Sequence, residues 1–302
     1  MSSARQNPSG KNRKQRLHPI VAIVIAIVLA LAGYLVYSDV AEHNPSPGLA
    51  DGEVAVHFID VGQGDAVLIQ TTSGSVLIDG GNSNMGMRVV EYIRDIGVSE
   101  LAYVVATHPH SDHIGGLVTV LNEIPVGTLI MPNVAHTTAT FERFLDAIEN
   151  NDIPLREPVI GSSFSIGNAV FTVIAPNADN YISLNDYSVS LRMVLGDTGF
   201  IFTGDAEALS EREMLQHYIS SDVLHVGHHG SNTSTIQEFL DAVSPSIAII
   251  SVCDNTYGHP HDDVLARLYE AHVTVYRTDY HGHILIVSDG ANLSIYTTRG
   301  AE

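Results

Sequence analysis

The sequence predicts an α/β fold in which two mixed sheets pack face to face and helices cover both outer sides. Short runs rich in β-branched and aromatic residues alternate with turn residues, and amphipathic segments of helical spacing lie between some of them. A strand meander followed by strand–helix alternation occurs twice along the chain, which indicates two such sheets. At 302 residues the chain is long enough for one large domain preceded by an anchor.

The N-terminal segments predict a membrane anchor. Residues 1–19 form a basic tail without acidic residues, and residues 20–37 carry no charge. A helix of that length spans about 27 Å, close to the hydrocarbon thickness of a bilayer. The basic tail predicts a single-pass protein with the N-terminus inside and the following domain outside the cytoplasm. The alternative is a signal peptide cleaved after Ala32, which would release the domain as a secreted protein.

The remaining chain divides into a Pro- and Gly-containing linker at residues 38–52 and a domain at residues 53–302. Cys253 is the only cysteine, so an internal disulfide is excluded. Beyond residue 38 the chain has 34 Asp and Glu residues against nine Arg and no Lys, a formal charge of −25. This excess argues against a broad basic surface for non-specific nucleic-acid binding.

The domain is predicted to open with a three-stranded meander, because Gly-containing turns separate three short apolar segments. The first half comprises strands at 53–60, 66–71 and 75–79, a helix at 85–97, a strand at 101–106, a helix from 114, a strand at 127–131 and a helix at 138–150. The second half comprises strands at 171–174, 189–195 and 200–202, a helix at 207–218, a strand at 223–226, a helix at 235–242, a strand at 247–252, a helix at 263–272 and strands at 284–287 and 293–296.

A His-Pro-His-Ser-Asp-His stretch that begins at position 108 lies in the loop between a buried strand and a helix. In this loop His108 and His110 can face one point, and Asp112 and His113 can face a neighbouring point. Imidazole and carboxylate ligands without thiolate are typical of catalytic Zn²⁺ or Mn²⁺ sites. Two adjacent ions would bind and deprotonate a bridging water, giving a hydroxide nucleophile at neutral pH. The spacing therefore predicts a two-metal catalytic centre.

Two later strand ends carry further candidate ligands. Asp205 follows a buried strand, and its two carboxylate oxygens can bridge two cations; the alternative is a cap for the helix that begins near Glu207. The adjacent residues His228 and His229 follow the next strand. His225 lies on that strand, where a position in the core or behind the ligands is expected.

These motifs resemble the signature of the metallo-β-lactamase-fold hydrolases over roughly residues 53 to 300. The resemblance implies a four-layer αβ/βα sandwich that binds two Zn²⁺ ions, with Mn²⁺ as the alternative, and in which Asp205 bridges the ions. One of the paired histidines would bind the second ion. We choose His229 and expect His228 to contact the substrate or act as an acid, while the opposite assignment stays open. The predicted metal ligands are His108, His110, Asp112, His113, Asp205 and His229.

The motif set departs from the general family pattern at the first ion. Most members supply another histidine from a loop before the bridging aspartate, but here the only histidine in that interval is His136, which lies away from the expected strand. The stretch from Asn185 to Leu191 stands there instead and resembles that of the ComEC-type competence proteins and their stand-alone relatives. Residues 57–66, the His-His-Gly-Ser sequence and residues 255–260 resemble the same branch. The first ion would then have two histidines, the bridging aspartate and water.

Further residues are expected around the ligands. Asp79, before a Gly pair, is expected to accept a hydrogen bond from a ligand histidine; the alternative is a turn aspartate. The substrate pocket is expected to include Asp65, Asn185 and Ser188. His259 and His261 are candidates for proton donation to the leaving group, the alternative being a polar loop. The predicted catalytic residues are Asp112, His228 and His259.

The resemblance implies an exported, membrane-tethered, two-metal hydrolase that cleaves phosphate esters, above all phosphodiesters. Relatives with this motif set are linked to extracellular nuclease work beside DNA uptake or to removal of phosphorylated groups from cell-wall polymers. The expected partners are a phosphoester-containing substrate and the membrane. With one predicted span, the chain is not expected to translocate DNA itself. The alternatives are amide or lactone hydrolysis, as in β-lactamases, and a metal-binding surface module whose catalysis has lapsed.

Overall fold

The computed structural model of the protein describes residues 48–300. The predicted basic tail at 1–19, the predicted anchor at 20–37 and most of the predicted linker at 38–52 lie outside this range. Among the helices of residues 48–300, none has both the length and the apolar character needed to cross a membrane. The first strand of the described residues begins at Val54.

The described chain forms two sheets, each partly antiparallel and partly parallel. The strands are β1 (Val54–Phe58), β2 (Val67–Thr71), β3 (Gly74–Ile78), β4 (Leu101–Val105), β5 (Val126–Ile130), β6 (Leu155–Arg156), β7 (Ser163–Ile166), β8 (Ala169–Ala175), β9 (Ser190–Leu195), β10 (Thr198–Phe202), β11 (Val223–His225), β12 (Ile247–Ile250), β13 (Thr274–Arg277), β14 (Ile284–Ser288) and β15 (Leu293–Thr297). The first sheet has the order β15-β14-β1-β2-β3-β4-β5-β6, and the second has the order β13-β12-β11-β10-β9-β8-β7. In both sheets an antiparallel meander continues into parallel strands, from β3 to β6 and from β10 to β13.

Helices cover the outer face of each sheet. They are α1 (Gly86–Asp95), α2 (Ser111–Ile114), α3 (Leu117–Glu123), α4 (Ala139–Asn150), α5 (Ala208–Met214), α6 (Gln237–Val243), α7 (Asp262–Glu270) and α8 (Thr278–His281). Residues of α1, α3 and α4 pack on the first sheet, and residues of α5, α6 and α7 pack on the second. Thr138 caps α4, since its Oγ1 accepts a hydrogen bond from the Phe141 N–H at 3.3 Å.

Three apolar clusters separate the layers. The cluster between the two sheets includes Phe58 and Phe202, which are 0% and 1% exposed. The cluster outside the first sheet includes Phe144 of α4, and the cluster outside the second sheet joins Leu224 of β11 to Phe239 of α6. Burial of each such side chain contributes about 2–3 kcal/mol to folding. The predicted four-layer αβ/βα sandwich of two mixed sheets is therefore confirmed.

A few elements differ from those predicted. The helix expected from residue 114 is preceded by the separate turn α2, because Gly115 and Gly116 interrupt the two segments. A Cβ on Gly116 would lie 1.9 Å from the Gly80 carbonyl oxygen, so the chain can pass there only as glycine. Strands β6, β7 and β13 and helix α8 have no counterpart among the predicted elements. They have two to four residues each, too few to show a hydrophobic period.

The parallel strands place the candidate ligands at one edge of the sandwich. The His-Pro-His-Ser-Asp-His stretch follows β4, Asp205 follows β10, and the histidine pair follows β11. Strands β10, β11 and β12 are parallel neighbours, so the loops after them lie side by side. The first sheet meets them there, because His113 Nε2 lies 3.2 Å from Asp205 Oδ1.

Candidate metal centre

The loop after β4 gathers four residues at the start of α2, which we call the main motif: His108, His110, Asp112 and His113. His110 is the N-cap residue of α2, so the chain turns immediately after it. His108 Nε2 lies 2.9 Å from His110 Nδ1, and Asp112 Oδ2 lies 4.0 Å from His113 Nε2. His113 is fully buried, whereas 28% of the Asp112 side chain is exposed. The structure thus brings together the two pairs that the spacing predicts.

Asp205 stands between these two pairs. Its Oδ1 lies 3.2 Å from His113 Nε2, and its Oδ2 lies 3.6 Å from His108 Nε2. The residue is buried, with 2% of its surface exposed. Glu207, and not Asp205, is the N-cap residue of α5, so the capping alternative does not account for Asp205. Each oxygen of this carboxylate faces a different group of imidazoles.

The paired histidines adopt a left-handed backbone conformation. His228 has φ 51° and His229 has φ 54°, and Gly230 follows with φ 81°. A non-glycine residue in this region costs roughly 1 kcal/mol or more, so the surrounding structure must hold the loop in place. The conformation directs both imidazoles at Asp205: His229 Nε2 lies 3.6 Å from Oδ1, and His228 Nε2 lies 3.7 Å from Oδ2.

Within residues 48–300, several buried polar atoms around Asp205 have no hydrogen-bond partner. They are His113 Nε2, His229 Nε2 and Asp205 Oδ1. The ligand atoms of Asp112, His113 and His229 lie within 4.8 Å of one another. Buried polar atoms normally have partners, and converging imidazole nitrogens and carboxylate oxygens are the donors that Zn²⁺ and Mn²⁺ take. These residues therefore fit a divalent cation.

Two groups of candidate ligands share the Asp205 carboxylate. We name the first cluster as the set His108, His110 and Asp205 Oδ2. We name the second cluster as the set Asp112, His113, His229 and Asp205 Oδ1. The ligand atoms of His108, His113 and Asp205 also lie within 4.8 Å of one another, so the two clusters adjoin.

The charges in the centre favour cation binding. Burial lowers the pKa of His229, but the carboxylates of Asp205, Asp112 and Asp65 raise it well above the ordinary histidine value. Burial raises the pKa of Asp205, but the facing imidazoles of His113 and His229 hold it well below the usual range. Ionised carboxylates are thus concentrated in a water-poor site, where they attract cations more strongly than at the surface.

Asp79 lies directly behind the main motif. Its Oδ2 accepts hydrogen bonds from His113 Nδ1 at 2.8 Å and from Thr107 Oγ1 at 2.7 Å. Thr107 Oγ1 in turn lies 3.1 Å from His108 Nδ1. One carboxylate therefore orients an imidazole of each cluster, directly for His113 and through Thr107 for His108.

Asp65 lies behind the second cluster and not on its open side. It is 3% exposed, and its Oδ1 lies 3.4 Å from His229 Nδ1 and 3.7 Å from His225 Nε2. Ser251 shares this role, because its carbonyl oxygen lies 2.9 Å from His229 Nδ1 and its hydroxyl lies 2.8 Å from His225 Nε2. Ser251 is not among the residues predicted from the sequence; its position at the end of strand β12, beside β11, is the pattern that could have indicated it.

Asn185 and Ser188 also support the ligands from behind. Ser188 Oγ accepts a hydrogen bond from the Asp205 N–H at 3.1 Å and lies 3.3 Å from His108 Nδ1. Asn185 Nδ2 donates to Glu207 Oε1 at 3.1 Å, and Glu207 Oε1 lies 3.5 Å from His228 Nδ1. Both Asn185 and Ser188 are buried, so they contribute little open pocket surface. Glu207 is a site residue that sequence reasoning treats only as a helix start.

The remaining histidines lie at the margin of the centre. His136 Nδ1 lies 3.3 Å from the Pro109 carbonyl oxygen, and its ring centroid lies 5.8 Å from that of His110. The His259 ring centroid lies 5.3 Å from that of His228 and 5.3 Å from that of His261. Partial burial and the neighbouring imidazoles lower the pKa of His259 to about 4. The structure thus places His259 beside the paired histidines and His136 beside the main motif.

The sequence matches the profile of the Metallo-beta-lactamase superfamily over residues 59–253. This match spans the main motif, Asp205 and both paired histidines. The chain belongs to the metallo-beta-lactamase superfamily. Members of this superfamily are usually metal-dependent hydrolases, and the gathered His and Asp residues described above agree with divalent metal binding.

Curated relatives of this metallo-beta-lactamase chain are competence-related proteins of the ComEC type, as predicted. ComE operon protein 3 of Bacillus subtilis is 33% identical over 78% of this chain and 33% of its own length. Competence protein ComA of Neisseria gonorrhoeae is 31% identical over 84% of this chain and 34% of its own length. Recombination protein 2 of Haemophilus influenzae is 30% identical over 76% of this chain and 28% of its own length. The chain thus spans about a third of the length of the curated relatives it matches.

Solved structures share the fold at low sequence identity. The metallo-beta-lactamase fold protein YhfI from Bacillus subtilis superposes with a TM-score of 0.54 at 12% identity, covering 78% of this chain and 99% of that one. CmlA, a diiron beta-hydroxylase from Streptomyces venezuelae, gives 0.51 at 14% identity and covers 75% of this chain and 53% of that one. At these identities the likeness shows the fold alone.

Proposed function

We propose that the protein is a two-metal hydrolase that cleaves phosphodiesters. The observation that carries this proposal is the position of Asp205, whose two oxygens face two separate groups of imidazole ligands. Two cations on either side of one carboxylate would be close enough to contact neighbouring oxygens of a single phosphate group. Membership of the metallo-beta-lactamase superfamily supports metal-dependent hydrolysis as the reaction class.

We propose that the first and the second cluster each hold one divalent cation, Zn²⁺ or Mn²⁺. Such ions, when bound, supply an activated water at neutral pH and offset the charge that develops on phosphate oxygens. The contribution of the chain is to fix the ligands. Asp79 accepts a hydrogen bond from His113 Nδ1, and the Ser251 carbonyl oxygen accepts one from His229 Nδ1. The Nε2 atoms of both histidines therefore remain free to bind a cation.

The substrate would approach from the partly exposed side of the centre. The exposed fractions of the Asp112 and His228 side chains are 28% and 22%. The chain has no Lys beyond residue 14, so cations and imidazoles, and not ammonium groups, would face the phosphate oxygens. We propose that Asp112 orients the attacking water and that His259, whose lowered pKa of about 4 leaves it uncharged at neutral pH, donates a hydrogen bond to the leaving oxygen.

We propose that the catalytic domain acts outside the cytoplasm, tethered by residues 20–37 with the N-terminus inside. The names of the relatives, which include a competence protein and a recombination protein, support nucleic acid as the phosphodiester substrate and the cell envelope as the place of action. A cell-envelope polymer with phosphodiester links has the same reacting group and is the alternative substrate.

The test uses the full chain in detergent, loaded with Zn²⁺ or with Mn²⁺. Hydrolysis is recorded for a chromogenic phosphodiester, single-stranded DNA, a phosphodiester-linked envelope polymer and a chromogenic β-lactam. We expect phosphodiester turnover that a chelator abolishes and that either metal restores. The variant His110→Ala should lower this turnover by about 10³-fold, equivalent to about 4 kcal/mol of transition-state stabilisation.

The matched control is His272→Asn, because His272 is an exposed histidine outside the centre. Its φ of 57° is tolerated by asparagine, so this variant should retain full turnover. Comparison of DNA with the envelope polymer separates the two substrate classes. Hydrolysis of the β-lactam alone, or phosphodiester turnover that survives His110→Ala, would refute the proposal.

A further inference from the structure

We propose that His228 supplies a nitrogen ligand to the first cluster, so that the adjacent residues His228 and His229 bind different ions. The inference rests on the two-cation centre of the proposed function, but it does not depend on the substrate. The ligands predicted from the sequence for the first ion are two histidines, the bridging aspartate and water. The structure places the imidazole of His228 beside Asp205 Oδ2, the carboxylate oxygen that also faces His108.

The polar residues before Asp205 do not supply a further ligand to the first cluster. Ser188 Oγ lies 3.3 Å from Nδ1 of His108, the nitrogen that faces away from Asp205. Ser188 Oγ also accepts a hydrogen bond from the Asp205 N–H at 3.1 Å. His136 directs Nδ1 at the Pro109 carbonyl oxygen. These contacts place Ser188 behind the cluster and His136 beside it.

His228 instead directs its Nε2 atom at the carboxylate of Asp205, which the two clusters share. His228 Nε2 lies 3.7 Å from Asp205 Oδ2, the oxygen that lies 3.6 Å from His108 Nε2. His229 Nε2 lies 3.6 Å from the other oxygen, Oδ1. Two consecutive imidazoles therefore straddle one carboxylate. In a strand, neighbouring side chains would point to opposite faces; the left-handed backbone at both residues brings them to the same aspartate.

Three polar groups surround Nδ1 of His228, the nitrogen away from Asp205. His228 Nδ1 lies 3.2 Å from Thr233 Oγ1, 3.4 Å from Asn185 Nδ2 and 3.5 Å from Glu207 Oε1. Thr233 Oγ1 and Asn185 Nδ2 each donate to Glu207 Oε1 at 3.1 Å, so the carboxylate is itself fixed. The arrangement repeats that of His113 with Asp79, in which a carboxylate faces Nδ1 while Nε2 faces Asp205.

Geometry decides between ligand and acid. His228 Nε2 and His108 Nε2 face the same carboxylate oxygen, Asp205 Oδ2. A nitrogen that shares this oxygen with a predicted ligand is placed to bind the same ion. His228 is therefore assigned to the first ion, and this assignment replaces the substrate contact or acid expected from the sequence.

The test measures metal binding by the full chain in detergent, without substrate. Metal-free protein is titrated with Co²⁺ while the visible absorption of the bound ion is recorded, and equilibrium dialysis with Zn²⁺ gives the stoichiometry. Wild-type protein should bind two ions. His228→Gly should bind one ion tightly. Its affinity for the other ion should fall by more than the roughly 10- to 100-fold that follows loss of a hydrogen-bond partner of a ligand. Glycine keeps the left-handed backbone without strain, so this variant should fold.

Two further variants complete the experiment. Glu207→Gln should still bind two ions, with the weaker affinity reduced roughly 10- to 100-fold. His272→Asn, at an exposed histidine outside the centre, should bind both ions as wild type does. The inference is overturned if His228→Gly binds two ions with wild-type affinities, or if wild-type protein binds only one. Two ions per wild-type chain without phosphodiester turnover would sink the proposed function and leave this assignment standing.

Discussion

The carboxylate of Asp79 lies 2.8 Å from Nδ1 of His113, and both residues are fully buried. Burial raises the pKa of Asp79, although the facing imidazole opposes that rise. The same oxygen accepts a hydrogen bond from Thr107 Oγ1, which lies beside His108. One buried carboxylate thus determines the orientation of both ends of the main motif.

Asp79→Asn should weaken metal binding by roughly 10- to 100-fold. Asparagine has nearly the same volume and tolerates the φ of 57° at this position, so the change tests the hydrogen bonds and not the backbone. Competition with a chromophoric chelator measures the affinity. Asp241→Asn, at an exposed position of α6, is the matched control and should bind metal as wild type does. Equal affinities for both variants would show that Asp79 does not act through His113.

Gly230→Ala should lower the free energy of unfolding by about 3 kcal/mol. Gly230 has φ 81°, and an added Cβ would lie 2.5 Å from Cβ of Pro260. Gly97 offers a matched control, because its φ is 82° and a Cβ there would meet nothing within 4 Å. Gly97→Ala should therefore lower the free energy of unfolding by only roughly 1 kcal/mol, the cost of a left-handed backbone at alanine. Urea denaturation measures both variants, and equal losses would exclude a steric role for Pro260.

Glu211 should make stability fall between about pH 4.5 and pH 7. Burial raises its pKa to about 7, although its carboxylate accepts hydrogen bonds from the Thr235 and Ile236 N–H groups. A raised carboxyl pKa means that the folded state holds the proton more tightly than the unfolded chain does. Proton binding by Glu211 therefore stabilises the fold fully below the pKa of the unfolded chain, and this stabilisation is lost as pH rises through the pKa of the folded state. The loss corresponds to about 3 kcal/mol.

The measurement compares wild type with Glu211→Gln by urea denaturation at pH 5 and pH 7, both saturated with Zn²⁺. Glutamine cannot ionise, so the stability of wild type relative to the variant should fall by about 2 kcal/mol over that interval. Metal binding and other titrations affect both proteins alike and cancel in the difference. A constant difference would show that Glu211 titrates outside this range.

The main motif could be predicted because its chemistry is local. His108, His110, Asp112 and His113 lie within six positions, and the strand before them is apolar. Asp205 could be predicted because it follows a second buried strand. The four-layer fold could be predicted because a strand meander followed by strand–helix alternation occurs twice along the chain. The short strands β6, β7 and β13 have too few residues to be recognised in the sequence.

The support behind the ligands could not be predicted, because it depends on contacts between distant segments. The orientation of His228 follows from a left-handed loop whose glycine packs against Pro260. Glu207 and Ser251 are ordinary residues in sequence, and only the folded chain brings them within 3.5 Å of His228 Nδ1 and 2.9 Å of His229 Nδ1, respectively. The predicted tail, anchor and linker lie almost entirely outside the described residues and stay predictions.

The candidate ligands come from both sheets: His108 and His113 follow a strand of the first, and Asp205 and His229 follow strands of the second. Cations bound there would therefore cross-link the two halves of the sandwich and close a long loop of the chain. Before the halves dock, neither half offers a complete set of donors. A chain exported unfolded would thus capture its metals last, and metal occupancy would report that the halves have assembled.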